Sequence, residues 1–513
     1  MQSNNRRIAK NTFYLYIRLG ITLIVQFYTS RVVLNVLGVD DFGLWSVIAS
    51  FIVTFSFISG PLSTATQRFL NYEIGSKGGN LNGIFSTSIL IFLSIGAVLF
   101  VILEIAGVWF VNTKLNISPD KLEIAHWTFQ FAILAFIVNL IRMPYESAII
   151  AEERMSFYAV FCIVEAVLLL GIVYILLLPQ QIDKLVMYGA LTFLSKSIIT
   201  LGYKIYCNKR INYTKFKFAY DKRTMKELAS FSGWNLFGAL ASATSIQGIN
   251  ILLNMFFGVA VNAAYGIASQ VVAAVMSFIS NFLKAVKPQI VKSYASSEMN
   301  YMHSLICAAS KYSFFLLFAL AFPIMLNMDW ALRLWLGDSV PPLTAIFCNL
   351  TLVYMLIVCL SEPMDTAVLA TGSIKRYQIV LSSLLFLNIL ISYLLFKIGW
   401  ASVTALVVKC MVEIIILFTR LWFVHKKVGL PVQIYWIKTI IPILLVALLM
   451  TIMMFAVEKF FSFAVGWLGV VEQCMIFYAG YIVCVWFFGL RNTERKLVTL
   501  FVINKIVKRS ARL

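Results

Sequence analysis

Ionisable side chains inside long apolar runs are the residues of this chain that could do chemistry. A charge at the centre of a bilayer costs about 2.5–3.5 kcal/mol on insertion scales, so such residues usually face protein or water. The basic candidates are Arg18, Arg31, Arg68, Arg142, Lys196, Lys284, Lys287, Lys311, Lys409 and Arg420. The acidic candidates are Glu104, Glu146, Glu165, Glu362, Asp365, Glu413 and Glu472. The basic residues outnumber the acidic ones, which suits an anionic cargo.

The first apolar run carries a polar stripe. Tyr14, Arg18, Thr22, Gln26 and Ser30 recur every four residues, so they share one face of a helix. We expect this face to line a polar cleft, where the arginine offers a planar fork of donors to an anion. The alternative is a stripe that packs against polar groups of neighbouring helices.

Two lysines in the eighth run lie three residues apart and therefore on one face. Lys284 and Lys287 both lie about one turn from Pro288. Two interpretations of this pair stay open. The lysines either contact an anionic cargo or snorkel to the cytoplasmic headgroups. Snorkelling is the favoured interpretation for three arginines nearer the ends of their runs, which are Arg31, Arg68 and Arg142.

Other charged residues are expected to form structural pairs. Lys196 and Lys409 hold similar places in the sixth and twelfth runs. Lys409 and Glu413 are four apart, so we expect them to pair within their helix. Glu146 and Asp365 are expected to form ion pairs with basic neighbours at helix ends.

No catalytic residue, metal site or cofactor is predicted. The three histidines and eight cysteines show no ligand spacing, and the cysteines are expected to fill the core. A glycine-rich phosphate loop of the GxxxxGK[ST] type is absent from the sequence. Any energy for transport would have to come from an H⁺ or Na⁺ gradient or from removal of product.

The composition places the elements that carry these residues in a membrane. The chain of 513 residues is 61% hydrophobic and 12% charged, against roughly 45–50% and about 25% in soluble domains. It has no stretch long enough for an independent domain outside the membrane, which argues against receptors and pumps with a fused nucleotidase. Apolar runs predict fourteen spans, near 12–37, 42–71, 83–111, 123–150, 157–178, 183–207, 228–257, 262–292, 302–327, 342–370, 376–397, 400–424, 433–457 and 465–489.

The net charge of +20 is explained by topology. Lys and Arg concentrate in the loops on the N-terminal side, so the positive-inside rule puts both termini in the cytoplasm. This predicts a multi-pass protein of the bacterial cytoplasmic (inner) membrane, with membrane lipid and no nucleic acid as a partner. The first run lacks a cleavage site for a signal peptide and is expected to stay as a span. The basic tail either anchors the topology or lies along anionic lipid.

An internal repeat relates the two halves of the chain. Ser-Phe-Ile-Ser at 56–59 recurs at 277–280, and Pro-x-acid-x-Ala-x-x-Ala at 144–151 recurs as Pro-x-acid-x-Ala-x-x-Ala at 363–370. A looser echo joins Gly38 and Gly43 to Gly258 and Gly266. The offset, close to 219, contains an even number of spans, so the halves enter the membrane in the same direction.

The predicted fold is an all-α polytopic membrane protein. Two six-helix lobes related by a pseudo-twofold axis would enclose a central cleft, with two C-terminal helices added. The predicted parts are a lobe over 1–207, a basic cytoplasmic linker over 208–227, a second lobe over 228–427, two further helices over 428–489 and a basic tail over 490–513. The candidate helix breaks or gates are Pro61, Pro144, Pro288 and Pro363.

Three motifs carry a family resemblance. They are Leu-Gly-Val-Asp-Asp-Phe-Gly-Leu-Trp at 37–45, a mid-span Gly-Pro at 60–61 and the repeated Pro-x-acid-x-Ala-x-x-Ala sequence. In this ordered set the chain resembles bacterial polysaccharide-unit flippases of the O-antigen type, in the multidrug/oligosaccharidyl-lipid/polysaccharide (MOP) exporter superfamily. The resemblance covers twelve helices, and the last two have parallels in that superfamily.

The resemblance implies alternating access between two lobes. The cargo would be an undecaprenyl-diphosphate-linked oligosaccharide, an O-antigen, capsule or exopolysaccharide repeat unit. Polymerases and glycosyltransferases of the same pathway would be further partners. On this interpretation Arg18 binds a diphosphate oxygen. The candidate cargo-binding residues are Arg18, Thr22, Gln26, Arg31, Arg68, Arg142, Lys196, Lys284, Lys287, Lys311 and Lys409.

Other functions stay open within and outside the superfamily. A peptidoglycan-precursor flippase would share nearly all these features. A cation-driven multidrug exporter commonly needs a carboxylate in the first or seventh helix, whereas here the first has none and the seventh has only Glu227 at its start. A membrane glycosyltransferase or polymerase would need large outer loops, and 112–122 and 328–341 are too short. We therefore predict that the chain is not an enzyme, although four residues of the second loop could touch sugar, namely Trp330, Arg333, Trp335 and Asp338.

Overall fold

A computed structural model describes the residues 2–113, 119–178, 182–217, 222–337, 340–461, 463, 466–492, 494–496 and 499. Within these residues the chain consists of helices and their connections, without a strand. The long helices are α1 (Arg7–Gly38), α2 (Asp41–Ser76), α3 (Leu81–Thr113), α4 (Leu122–Ala151), α5 (Met155–Ile175), α6 (Lys184–Arg210), α7 (Lys222–Gly258), α8 (Ala260–Ala295), α9 (Met299–Leu326), α10 (Thr344–Ala370), α11 (Lys375–Lys397), α12 (Thr404–Val428), α13 (Val432–Phe460) and α14 (Trp467–Gly489). Thirteen of them, all except α12, are long and apolar enough to cross a membrane.

The predicted all-helical membrane fold is confirmed, and the predicted spans match these helices to within several residues at each end. The exception, α12, has the length of a span but carries Lys409, Glu413 and Arg420 within three of its turns. One connection differs from the prediction. The supposed loop 328–341 contains a short helix, Met328–Leu336, which carries Trp330, Arg333 and Trp335. Asp338 lies outside the described residues.

Local sequence explains where helices begin and end. The Asp183 side chain caps α6 by accepting hydrogen bonds from the backbone amides of Leu185 and Val186, at 2.8 and 3.4 Å. Gly429 ends α12 in the left-handed conformation, with φ of 70°, and Pro431 follows it. In α2 a tighter 3₁₀ turn, Thr54–Ile58, comes before Pro61, which has no amide hydrogen for the helix.

The backbone agrees with the predicted repeat. A continuous helical run, Gln2–Val53, is interrupted at Gly38, where φ is 78° and ψ is 173°. The run Lys222–Ala295 is interrupted in the same way at Gly258, where φ is 79° and ψ is −172°. These two conformations are nearly identical, and both are open to glycine almost alone. The first helix of each half therefore ends in the same break, at equivalent positions of the repeat.

The chain groups into two compact units. Unit 1 comprises 1–243, 284–302 and 369–382, and unit 2 comprises 244–283, 303–368 and 383–513. The boundaries of the predicted lobes stay a prediction. Of the predicted linker 208–227, the structure assigns the ends to α6 and α7, and 218–221 lie outside the described residues. Most of the predicted tail 490–513 also lies outside them.

In unit 1, α4 packs between α3 and α6, and a glycine lets α3 approach. A Cβ added at Gly107 of α3 would lie 2.0 Å from the ring of Phe129 in α4. On the other side, a Cβ at Gly189 of α6 would be in ordinary van der Waals contact with α4, 3.6 Å from the backbone oxygen of Thr128. Close packing of this kind fixes the rotation of α4 and α6, and so the direction of their charged side chains.

In unit 2, tyrosine hydroxyls tie the last two helices to the rest. Tyr435 at the start of α13 donates to the backbone oxygen of Leu360 in α10 over 3.0 Å. Tyr481 of α14 donates to the backbone oxygen of Phe315 in α9 over 2.7 Å. These buried bonds make α13 and α14 integral parts of unit 2.

Candidate functional site

A cavity of about 750 Å³ lies within unit 1. Its walls come from α1, α2, α4, α5 and α6, and all of its lining residues fall within 18–203. Aromatic and small side chains make up most of the wall, including Trp45 and Tyr188. The charged lining residues are Arg18, Arg142, Lys196, Glu146 and Glu165. The lining therefore has more cations than anions.

The polar stripe of α1 contributes one wall of this cavity. Arg18, Thr22 and Gln26 all line it, as the four-residue spacing requires of one helical face. The Thr22 hydroxyl donates to the backbone oxygen of Arg18 over 2.8 Å, so its lone pairs stay available toward the cavity. Tyr14 is not among the lining residues, and the side chain of Ser30 lies outside the described residues.

A three-residue ion cluster forms another wall. Arg142 of α4 donates from Nη1 to Oε2 of Glu165 in α5 over 2.9 Å. Lys196 of α6 pairs with the other oxygen of the same carboxylate. Glu165 is thus shared by two cations, and the cluster carries a net positive charge. Arg142 makes this contact rather than the expected ion pair with Glu146, because the rotation of α4 turns it toward α5. The charge of Glu146 still attracts Arg142, Arg18 and Lys284.

Two cations also meet at one buried hydroxyl at the edge of the cavity. Arg18 donates from Nη1 to the Tyr158 hydroxyl over 3.4 Å, with its guanidinium carbon 5.1 Å from the ring centre. Lys284 of α8 donates to the same hydroxyl over 3.0 Å, with its ammonium 5.1 Å from the ring centre. Tyr158 is 4% exposed. A phenol has two lone pairs and can accept both bonds, but it is neutral and does not offset the repulsion between the cations.

The remaining predicted binding residues of unit 1 lie away from the cavity lining. Arg31 is exposed on α1, and Lys287 is half-buried on α8. Arg68 donates to the backbone oxygen of Ala370 over 2.8 Å. Its guanidinium also lies 4.6–5.6 Å from the centres of three aromatic rings, those of Phe69, Tyr72 and Phe231. Arg68 is therefore held by a backbone carbonyl and by aromatic faces, and snorkelling to the headgroups stays a prediction.

Two predicted binding residues belong to unit 2. Lys311 of α9 is buried and pairs with Glu494, over 2.6 Å. The ammonium of Lys409 lies 4.3 Å from the ring centre of Tyr354. The expected ion pair of Lys409 with Glu413 is not formed, although the structure describes both residues, because the lysine is turned onto the aromatic ring.

The four predicted helix breaks differ in their surroundings. Pro61, Pro144, Pro288 and Pro363 are all buried inside helices. Pro61 follows the tightened turn of α2, and its carbonyl accepts a bond of 3.4 Å from Asn235. Their proposed part in gating stays a prediction.

The described residues contain no group of three or more His, Cys, Asp or Glu side chains able to hold a metal ion. His303 contacts the backbone oxygen of Val428 at 2.7 Å, and His425 contacts that of Leu430 at 3.0 Å. His126 contacts Asn112 at 3.0 Å. Each histidine has an ordinary hydrogen-bond partner.

Sequence reasoning missed the importance of Tyr158. In the sequence, a tyrosine at the start of an apolar run resembles an ordinary core residue. Its place in the repeat was the one feature that marked Tyr158 out. Tyr377 stands at the equivalent position, and both rings are buried. Tyr158 lines the cavity, and its hydroxyl accepts hydrogen bonds from α1 and from α8.

Comparisons with known proteins identify the fold. No protein-family model matches the sequence, and no curated protein sequence matches it. In structure, 34 chains match. An outward-facing multidrug resistance MATE family transporter of the MOP superfamily superposes with a TM-score of 0.70 and 12% identity, over 83% of this chain and 96% of that chain. The fold is MATE-like.

Two further structures show the same likeness. A MATE in the straight conformation has a TM-score of 0.71 and 13% identity, over 83% of this chain and 97% of that one. A MOP superfamily transporter from Pyrococcus furiosus, described as having a binding pocket of reverse polarity, has a TM-score of 0.69 and 14% identity, over 82% and 96%. At such identities the MATE-like fold is shared, but the cargo does not follow from it.

Proposed function

We propose that this chain is a membrane transporter that moves an undecaprenyl-diphosphate-linked oligosaccharide across the bacterial cytoplasmic membrane by alternating access, with both termini in the cytoplasm. The observation that carries the proposal is the meeting of Arg18 and Lys284 at the Tyr158 hydroxyl. The charge of Glu146, which also lines the cavity, offsets part of the repulsion between these two cations, and a bound anion would relieve more of it.

A diphosphate suits this arrangement better than a single charge. Arg18 can hold two oxygens of one phosphate through its fork, while Lys284 acts as a point charge for the next. Arg142 and Lys196 add positive charge to the cavity lining, partly offset by Glu165. The volume of about 750 Å³ lies within the usual range of small-molecule sites, about 300–1,000 Å³. It suits the headgroup, so the lipid tail and most of the glycan must extend outside it.

A multidrug exporter is the second candidate, because a transporter of that kind shares the MATE-like fold and Glu146 places a carboxylate in the cavity. Against it, α1 carries no acidic residue, and Glu165 is already paired with two cations. A peptidoglycan-precursor flippase would use the same diphosphate chemistry. The size of the cargo would therefore distinguish one glycan from another. The charge of the cargo would distinguish a diphosphate from a drug.

Binding and transport in proteoliposomes test the proposal. A fluorescent undecaprenyl-diphosphate-linked sugar is titrated against the parent protein, Arg18→Ala and Lys284→Ala. Each variant loses a charge-assisted hydrogen bond of about 1.5–3 kcal/mol, so affinity should fall about 10- to 150-fold. Arg31→Ala and Lys287→Ala are the matched controls on the same two helices, and both should bind like the parent.

Two results would contradict the diphosphate assignment. One is equal affinity for the diphosphate probe in Arg18→Ala, Lys284→Ala and the controls. The other is saturable uptake of a cationic dye that disappears in Glu146→Gln, which would favour the exporter. Undecaprenyl monophosphate, which carries less charge, serves as a further comparison and should bind more weakly than the diphosphate.

A further inference from the structure

A buried carboxylate outside the cavity gathers side chains from distant parts of unit 1. Glu153 lies in the short turn between α4 and α5, and 1% of its side chain is exposed. It accepts hydrogen bonds from Arg7 over 2.8 Å, from Gln289 over 2.7 Å and from Lys292 over 2.7 Å. Arg7 precedes the stripe of α1, while Gln289 and Lys292 lie near the end of α8. One carboxylate therefore joins three chain segments that are far apart in sequence.

The backbone at this turn is fixed around the contact. Glu153 has φ of 57°, in the left-handed region that residues other than glycine rarely adopt. Lys292 also donates to the backbone oxygen of Ala151, the last residue of α4, over 2.6 Å. Lys292 at the end of α8 thus bonds both to the end of α4 and to the turn that follows it. A strained residue held by several ionic bonds is typical of functional switches as well as of rigid supports.

The same end of α8 also packs closely on α2. A Cβ added at Gly75 would lie 2.5 Å from the backbone oxygen of Lys292. The rings of Tyr72 and Tyr294 contact each other at an angle of 47°, with their centres 6.3 Å apart. The joined arrangement therefore combines charge pairing with close contact between backbones.

The positions of these segments suggest what the contact does. The start of α1, the turn after α4 and the end of α8 all face the cytoplasm in the predicted topology. Arg7 and Glu153 fall in the predicted first lobe, whereas Gln289 and Lys292 fall in the predicted second lobe. Alternating access requires the cytoplasmic ends of such lobes to part and rejoin.

We propose that Glu153 is a lock that holds the cytoplasmic ends of α1, α4, α5 and α8 together in one state of the transport cycle. Its partners are long, flexible side chains at helix ends, which water can reach when the ends separate. The free-energy cost of desolvating a buried ionic cluster roughly cancels the attraction between its charges. The lock can therefore have well-defined hydrogen bonds and still open reversibly. Well-packed apolar residues would hold the ends at least as firmly but would give no such exchange with water.

The proposal rests on the transporter function, but its test does not need the cargo. Gln26→Cys, in a background without the eight native cysteines, reports access to the cavity. A membrane-impermeant thiol reagent is applied to inside-out vesicles, whose cytoplasmic face is outermost. Glu153→Gln should be labelled about tenfold faster than the parent, because losing one charge-assisted hydrogen bond shifts the equilibrium by roughly that factor or more.

Glu298→Gln is the matched control, because this carboxylate is exposed at the turn after α8. It should be labelled at the parental rate. Lys292→Met and Arg7→Gln remove other parts of the lock, and each should also speed labelling. They keep the test valid if Glu153→Gln is poorly inserted, which immunoblots of the membranes would reveal.

Labelling of all three lock variants at the rate of Glu298→Gln would overturn the proposal. Slower labelling in Glu153→Gln would overturn it as well, since the contact would then favour the open state. Loss of diphosphate binding in the proposed site, with faster labelling intact, would instead contradict the cargo and leave the lock standing. The two failures are therefore distinguishable.

Discussion

The pairing of Lys311 with Glu494 makes a quantitative prediction about stability. Lys311 lies within α9 with 1% of its side chain exposed, and its ammonium is 2.6 Å from a carboxylate oxygen of Glu494, which is 20% exposed. Glu494→Gln would leave a buried charge without its anion. Breaking such a pair costs about 3–5 kcal/mol, and we expect about 3 kcal/mol because the glutamate is partly solvated.

Thermal unfolding of the purified protein in detergent can measure this loss. A dye that reacts with thiols reports the opening of unit 2 once Cys162 and Cys207 of unit 1 are replaced, because Cys307 and Cys359 of unit 2 are both buried. Glu494→Gln should lower the midpoint temperature clearly. Lys311→Met in the same background removes the uncompensated charge and should restore most of the lost stability, because apolar replacement of a buried pair is often neutral.

Glu458→Gln is the control, because this carboxylate is exposed near the end of α13 and its change should stay within about 0.5 kcal/mol. The reasoning is refuted if Glu494→Gln melts at the same temperature as Glu458→Gln. It is also refuted if adding Lys311→Met lowers stability further. Either result would mean that the pair contributes nothing beyond what solvent supplies.

Three further predictions concern the cavity, the repeat and the lock. Gln26→Cys should react with a water-soluble thiol reagent, whereas Ile105→Cys, 71% exposed on apolar α3, should stay inert in lipid; the reverse pattern would contradict the stripe's orientation. Gly258→Ala should destabilise by about 1–3 kcal/mol in thermal unfolding because its φ of 79° and ψ of −172° are open to glycine almost alone, whereas helical Gly266→Ala, with open space around it, should be neutral or stabilising. Burial raises the pKa of Glu153, but Lys292, with hydrogen bonds from Gln289 and the charge of Arg7, outweighs it and holds the pKa below its ordinary value. The stabilisation that Glu153 gives is then complete above the ordinary carboxyl pKa of about 4.3 and is lost as the pH falls through the lowered one. The labelling rate itself rises with pH because the thiolate is the reactive form, so the prediction is that the ratio of the rates in Glu153→Gln and the parent stays constant between about pH 6 and 8.

The helices could be predicted from the sequence because each apolar run has to be about as long as the bilayer is thick. The ends were off by only a few residues, since charge, glycine and proline mark them. The short helix Met328–Leu336 was missed because nine residues are too few for a span and were assigned to a loop. The glycine break at Gly38 was visible only through its echo at Gly258.

The candidate site was harder to predict, because charges on different helices meet only when helix neighbours and rotations are known. The stripe of Arg18, Thr22 and Gln26 was predictable, since one helix sets its own spacing. The choice of Glu165 rather than Glu146 as the partner of Arg142 depends on how α4 faces α5. Long-range contacts of this kind leave no periodic trace in a single sequence.

The last turns of α8 connect the proposed binding residue Lys284 with the proposed lock. Lys284, near the cavity, and Lys292, at the lock, are eight residues apart, about 12 Å along a helix. Their partners Tyr158 and Glu153 lie five residues apart, across the turn that starts α5. The end of α8 therefore contacts the start of α5 at two levels, with Pro288 between them. Because both levels join α8 to the region where α5 begins, we expect separation at the proposed lock to change the contact at Tyr158. An anion that draws Lys284 away from Tyr158 would then act on the interface that we propose Glu153 closes.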